Sequence, residues 1–394
     1  MKVLLNDGMD MQGIALLEEA GFQTDTEHRS LEALIRDIGE FGALVVRGKT
    51  KVGRDVFEAG KKLIAVGRAG VGYDNIDVEA AADNGIVVLT APHGNTNATA
   101  ELAIDLMGSC LRNIPYAHQS LKRGKWDKAK YAGRELSGKT VGIIGCGRIG
   151  QRVAELLKGY ATKTIACDPV KYDNPNISEY VELDELLQRS DIVTIHSSQR
   201  DRIIGIKELL RMKPTAYLIL TSRAVHVDSD ALYNALDRKQ IAGAGVDVYD
   251  NEPTEDGVAY TNKLLSLDNA ICTSHLGAST MEAERNTSIE IAQAVVDYLL
   301  KGDFSKAVNI ERGGTGAEKY EYLHVFHEDV PGAWADIFQV LKNNGINIRE
   351  NPSGVPTGGG GNAKTAYRLL QAVDEKVLAE LEALKVVHWA RMVD

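Results

Sequence analysis

Basic residues are outnumbered in this chain: 45 lysines and arginines stand against 55 aspartates and glutamates, a net charge of −10. Overall acidity argues against nucleic acid or an anionic membrane as the main partner. It leaves room for a local basic pocket that takes a small anion. Cysteine is scarce. Cys110, Cys146, Cys167 and Cys272 show neither metal-site spacing nor the spacing of a disulfide framework, so they read as reduced core thiols, with no metal. No apolar stretch reaches the about 18 residues of a membrane span. The opening MKVLLNDGMD has too short an apolar run for a signal peptide. No internal repeat is evident. These absences predict a soluble, cytoplasmic protein. The 394 residues predict two or three domains.

What is present centres on Gly138 to Asp168. The apolar run Val141 to Ile144 leads into Gly145-Cys146-Gly147-Arg148-Ile149-Gly150. A helix pattern follows at Val153, Leu156 and Leu157. A second apolar run, Thr164 to Cys167, ends in Asp168, eighteen positions beyond the last glycine. Strand, glycine turn, helix, strand and acid is the order a dinucleotide site needs. Gly145 permits the tight turn, Gly147 lets backbone approach a diphosphate, and Gly150 lets the helix pack on the sheet. The helix N-terminus meets the negative charge. Asp168 is placed to accept hydrogen bonds from the adenosine ribose and would repel a 2′-phosphate, so the cofactor is NAD.

Short apolar runs alternate with helical patterns on both sides of this stretch. Val3–Leu5, Ala43–Val46, Leu63–Val66 and Ile86–Leu89 predict one parallel sheet in residues 1 to 90. A second, doubly wound domain covers approximately 94 to 277. A long helix over 280 to 301 and a linker at Glu311 to Gly316 follow. The remainder reads βαββαβ, a ferredoxin-like small domain. The fold class is therefore α/β, with two doubly wound parallel sheets (Rossmann and flavodoxin-like) and a ferredoxin-like C-terminal domain. Ligands of such sheets sit at the carboxyl ends of strands. In the first domain those ends carry Arg47 and the Gly70/Gly72 turn, read as an anion-binding rim. In the second they carry Arg223, Glu252 and His275. Interconverting a 2-hydroxy acid and a 2-keto acid needs a hydride acceptor, a proton carrier and a carboxylate clamp. NAD supplies the first. His275 is a proton carrier that titrates near neutrality, Glu252 can hold its other ring nitrogen, and Arg223 can grip a carboxylate with two hydrogen bonds.

These residues resemble the D-isomer-specific 2-hydroxyacid dehydrogenases. The resemblance covers nearly the whole chain, through VGRAGVGYDNID (66–77), APHGNTNATAEL (91–102), GRELSGKTVGIIGCGRIG (133–150), GAGVDVYDNEP (243–253) and TSHLGAST (273–280). It implies that Arg223, Glu252 and His275 are catalytic, with His275 the proton donor. It implies NAD contacts from Arg148, Ile149, Asp168, Ser197, Thr221, Asp247 and Gly277 beside the glycine turn. Arg47, Gly70, Val71, Asn95 and Arg223 would face the substrate, a phosphorylated hydroxy acid such as D-3-phosphoglycerate. The helix 280–301 would return to the first domain, which makes the substrate domain discontinuous: 1–93 and 278–312, with the NAD domain at 94–277. Another D-2-hydroxyacid dehydrogenase, such as one acting on 4-phosphoerythronate, and a non-catalytic NAD-sensing corepressor are the alternatives.

The chain departs from the family at two loops. His196-Ser197-Ser198 stands where the family has His-x-Pro. Leu220-Thr221-Ser222-Arg223-Ala224-Val225 stands where it has Asn-x-x-Arg-Gly-Gly, and the loss of the glycine pair predicts a stiffer turn. Residues 318–394 resemble an ACT regulatory domain, through His327 to Gly332 and Gly345 to Ile348. That resemblance implies L-serine as an effector at His327, Asp329 and Asn347, and a homodimer or homotetramer.

Overall fold

Four-residue apolar runs cannot bury both faces alone, so they assemble at the centres of sheets covered by helices. The computed structural model describes residues 1–253, 257–301, 303–309, 321–350, 355–357, 362–369 and 372–393. Strands β1 (Lys2–Leu5), β2 (Gln23–Asp25), β3 (Ala43–Val46), β4 (Ala65–Arg68) and β5 (Val87–Thr90) form a parallel sheet in the order β2-β1-β3-β4-β5. That is the flavodoxin-like winding. Three of its connecting helices start on polar caps: Asp10, Ser30 and Asp77 each accept a backbone N–H of the first turn. One face packs Leu4, Leu44, Val66 and Val88 against Phe57, Leu34 and Ile38. The other packs Val3, Val45 and Val87 against Ile291, Val295 and Tyr298 of the helix Met281–Lys301. Gly67 allows that approach, since a Cβ there would lie 2.9 Å from Ile291. Two details differ from the expectation. β2 is too short and too polar for a hydrophobic run to mark it. β4 sits two residues later than its apolar run, because it pairs Val46 with Arg68, which brings Arg68 to the strand end.

The second sheet has seven parallel strands: β6 (Thr140–Ile144), β7 (Lys163–Cys167), β8 (Glu179–Tyr180), β9 (Ile192–Ile195), β10 (Tyr217–Leu220), β11 (Gly243–Val246) and β12 (Ala270–Cys272). Their order is β12-β11-β10-β9-β6-β7-β8. The chain order therefore reverses between β6 and β9, the switch point where doubly wound sheets take ligands. The two faces are filled by Leu186, Leu218, Leu232 and Val246 on one side, and by Met107, Val141, Val153 and Ile219 on the other.

The C-terminal segment forms an antiparallel sheet. β13 (Glu321–Glu328), β14 (Ile348–Glu350), β16 (Asn362–Leu369) and β17 (Val387–Val393) run in the order β14-β16-β13-β17, with helices Ala333–Asn343 and Glu375–Glu382. A further strand, β15 (Val355–Thr357), pairs with β16 inside what reads in sequence as a glycine-rich loop. The rest of that loop and the expected linker at 311–316 lie outside the described residues. The chain divides into two compact units. One is Met1–Gly94 with Arg285–Asp394, and the other is Asn95–Glu284. No helix among the described residues is long and apolar enough to cross a membrane.

Candidate active site

The glycine turn lies at the switch point. Gly145 has φ +88°, and a Cβ there would come within 2.5 Å of the Ser197 nitrogen, at the end of β9. A Cβ at Gly150 would overlap the Gly145 carbonyl. Both positions need glycine for the protein's own packing. Gly147 does not: a Cβ there would meet nothing within 4 Å. Its bareness faces open space, as a backbone approached by a ligand requires. The helix Arg148–Leu157 begins at Gly147 with no side-chain cap, which leaves first-turn N–H groups for an anion. Asp168 stands beside the turn. Cys146 N donates to its Oδ2 at 2.6 Å and Val170 N to its Oδ1 at 2.8 Å. Each oxygen keeps a further lone pair for a ribose hydroxyl. At the ends of β9 and β10, His196 Nδ1 and Thr221 Oγ1 are buried with no hydrogen-bond partner in the protein. Such orphaned polar atoms are costly unless a ligand or water meets them. The turn, the acid and the orphaned atoms fit a dinucleotide.

The expected proton carrier, His275, sits in the same unit. His275 Nδ1 and Glu252 Oε2 are 2.6 Å apart. Burial pulls the Glu252 carboxyl upward, but the hydrogen bond and charge of His275 and the Tyr249 amide outweigh it, and the carboxyl lies below its ordinary value. An ionised Glu252 makes Nδ1 the donor in this bond and leaves Nε2 as the other ring nitrogen. His275 has φ +55°, a left-handed conformation uncommon for a side chain with a Cβ. Asp247 holds it there. The Asp247 carbonyl accepts His275 N at 2.9 Å, and its carboxylate accepts Leu276 N at 2.7 Å, Gly277 N at 3.0 Å and the Thr273 hydroxyl at 2.6 Å. Asp247, expected at the cofactor, is fully buried, and what the structure shows it doing is shaping this loop. Thr99 donates to the Gly277 carbonyl at 3.0 Å from the helix Thr96–Arg112, behind Asn95, whose Oδ1 is another buried orphan.

Arg223 follows β10 in extended backbone, and its Nη1 donates to the Ser198 carbonyl at 3.4 Å. The stiff turn after it has a local explanation. Ala224–His226 is a single 3-10 turn and neither Ala224 nor Val225 has positive φ, so glycine is dispensable there. His226, fully buried, replaces the lost flexibility with tethers. Its Nδ1 meets Ser222 Oγ at 2.9 Å and its Nε2 donates to the Gln199 carbonyl at 2.8 Å. The two loops that depart from the family pattern are thus tied to each other. Neither Ser222 nor His226 lies in a sequence pattern that marks it, although the departures beside them are visible.

In the other unit, Arg47 follows β3 and Arg68 ends β4, paired in register with Val46. Gly70 has φ +146°, and a Cβ there would overlap the Arg68 guanidinium. Gly70 thus packs against a cation that the sequence pattern leaves in a loop. Among the effector candidates, His327 is fully buried in the small sheet. Its ring nitrogens meet the Glu328 carbonyl at 2.8 Å and Thr365 Oγ1 at 3.0 Å, so it is engaged within the sheet. Asp329 and Asn347 are exposed.

Comparison with known proteins agrees with this geometry. Residues 104–277 match the family described as D-isomer specific 2-hydroxyacid dehydrogenase, NAD binding domain. Residues 325–350 give a short match to the C-terminal part of herpesvirus thymidine kinase, too small to assign that segment. A hydroxypyruvate reductase from Thermotoga maritima is 41% identical over 76% of this chain and 98% of its own length. A D-3-phosphoglycerate dehydrogenase from Methanocaldococcus jannaschii is 40% identical over 78% of this chain, which spans only 59% of that longer protein. Among solved structures, the NAD-dependent formate dehydrogenase from Staphylococcus aureus, in complex with NAD, superposes with a TM-score of 0.68 at 27% identity, over 79% of this chain and all of that one. With a relative of this identity matched along nearly its entire length, the chain belongs to the D-isomer specific 2-hydroxyacid dehydrogenase family.

Proposed function

We propose that the chain oxidises D-3-phosphoglycerate to 3-phosphohydroxypyruvate with NAD, the step that opens L-serine biosynthesis. NAD, when bound, supplies the acceptor for the C2 hydride. The chain's own residues do the rest. Arg223 grips the substrate carboxylate and polarises the oxygen on C2. His275 takes the hydroxyl proton at Nε2 while Glu252 holds Nδ1 and stabilises the imidazolium. In the reverse direction the same nitrogen returns the proton. The observation that carries the reading is the 2.6 Å Glu252–His275 pair in the unit that also holds the glycine turn.

Arg47 and Arg68, at the ends of adjacent strands, support a substrate with a second anionic group, and so do the relatives named for phosphoglycerate. A second reading, an unphosphorylated hydroxypyruvate as substrate, is favoured by the relative matched over 98% of its length. Turnover of the purified chain with D-3-phosphoglycerate, D-glycerate, 4-phosphoerythronate and D-lactate separates them. Phosphoglycerate should be preferred; equal rates with D-glycerate refute the phosphate assignment. His275→Ala should lose about 100-fold to 10,000-fold in kcat while NAD still binds. Unchanged turnover would reject His275 as proton carrier, and absence of turnover in the wild type would favour an NAD-sensing corepressor. The C-terminal domain we read as ACT-like and regulatory, with exposed Asp329 and Asn347 available to L-serine. Repeating the panel with L-serine, and measuring oligomeric state with and without it, tests that role.

A further inference from the structure

The short loop that carries Arg47 is fastened by side chains from two other segments. Arg47 N and Thr50 N donate to Asp7 Oδ2 at 2.7 and 3.1 Å, and the Thr50 hydroxyl donates to Asp7 Oδ1. Asn6 Nδ2 donates to Thr50 Oγ1 at 2.8 Å. The carbonyls of Arg47 and Thr50 both accept from Asn75 Nδ2, at 2.9 and 2.7 Å. Donors and acceptors at both ends of the loop are therefore satisfied, and Thr50 is 8% exposed while Gly48 and Lys49 are open to solvent.

Asn75 belongs to the loop after β4 that also contains Gly70 and Val71. The two loops are stitched further by Val52 N to the Asn75 carbonyl and Asp77 N to the Val52 carbonyl, each 2.9 Å. Asp7 itself ends the segment after β1. One carboxylate and one carboxamide thus fix the loops of three adjacent strands relative to each other. A carboxylate beneath an anion rim would oppose an anion if its charge were directed outward. Here three donors from the loop engage it, which turns the repulsive group into the loop's anchor.

We infer that Asp7, Thr50 and Asn75 form a clamp that presents the Arg47 loop to the phosphate of the substrate, and so set the preference for phosphorylated over unphosphorylated hydroxy acids. These are positioning residues, acting through the loop. The inference rests on the phosphorylated-substrate reading above.

The test measures kcat and KM for D-3-phosphoglycerate and D-glycerate in the wild type and in Asp7→Asn, Thr50→Val and Thr50→Ser. The exchange at Asp7 removes the anchoring charge and puts an amide N–H against the Thr50 hydroxyl. Asp7→Asn and Thr50→Val should raise KM for phosphoglycerate about tenfold or more, with kcat within about twofold and kcat/KM for D-glycerate unchanged. Thr50→Ser, which keeps the hydroxyl, should retain the wild-type preference. Loss of activity on both substrates together, or a preference that survives in Asp7→Asn and Thr50→Val, overturns the clamp. So does a Thr50→Ser variant that behaves like Thr50→Val. If Asp7→Asn does not fold, the Thr50 pair decides alone. A wild type with no preference for the phosphorylated acid instead rejects the reading beneath the proposal, an outcome visible before any variant is made.

Discussion

At the scale of single residues, the proposed chemistry depends on one proton being assigned to one nitrogen. Glu252 lies 2.6 Å from His275 Nδ1, while its other oxygen accepts Tyr249 N at 2.8 Å. The carboxyl is held below its ordinary value against the opposing effect of burial. A group lowered in the folded state contributes stability above its unfolded pKa and loses it as pH falls through the folded value, so the pair is intact at neutral pH. Glu252→Gln keeps the size and the Tyr249 contact but removes the charge that stabilises the imidazolium. It should lower kcat/KM by about 10-fold to 100-fold with little change in NAD affinity. Wild-type efficiency in Glu252→Gln would mean that the His275 ring is oriented by its backbone alone. That outcome has a physical basis to be tested, because Asp247 already fixes the loop on both sides of the left-handed His275.

At the scale of elements, the turn between β6 and its helix is the least replaceable piece. Gly145→Ala would place a methyl 2.5 Å from the Ser197 nitrogen in a conformation with φ +88°. The variant should lose NAD binding and unfold about 1–3 kcal/mol more easily. Gly147→Ala, where the protein leaves open space, should keep its stability and lose only NAD affinity. Calorimetry with and without NAD checks the contrast; equal destabilisation at both positions would contradict it. This turn was legible in the sequence because its signal is local: strand, glycines, helix and acid within one stretch. The strand ends at Arg223, Glu252 and His275 were legible for the same reason, each following a short apolar run. What escaped was non-local or weakly patterned. β2 and β8 are short, polar-edged strands that owe their existence to a neighbour. The register of β4, which delivers Arg68, is set by pairing with β3. Asp7 and Thr50 are 43 residues apart, and no periodicity in a sequence announces that their side chains meet. The turn at Ala224 and Val225 is visible in the sequence as a departure, but its compensation by His226 needed the fold.

At the scale of the whole molecule, two buried histidines make the NAD-binding unit sensitive to acid before its carboxylates titrate. Burial pushes the His196 imidazole down to about 3. Burial also lowers His226, opposed by its bond to the Gln199 carbonyl and reinforced by Arg223. The His196 ring stays neutral in the folded chain, and His226 takes up its proton at lower pH than it does unfolded, while the unfolded chain takes up protons below about pH 6.5. The unfolded state then binds more protons than the native one, so stability rises with pH in this window and is lost as pH falls below it. The slope is about 1.4 kcal/mol per pH unit for each such proton. Loss of lowered carboxyls such as Glu252 begins only below about 4.5, so the two effects separate on the pH axis. The cysteines provide a specific probe, since all four lie between Asn95 and Glu284, and Cys110 and Cys146 are buried. Labelling of these thiols by dithiodipyridine in a urea series should show the midpoint falling steadily from pH 6.5 to pH 5. His226→Asn, which keeps a polar group beside Ser222, should be less stable at pH 7 yet show a shallower decline. A midpoint independent of pH in that interval would mean that the buried rings are protonated in the folded chain, and that the tethers between the Arg223 and Ser197 loops are not the neutral hydrogen bonds described.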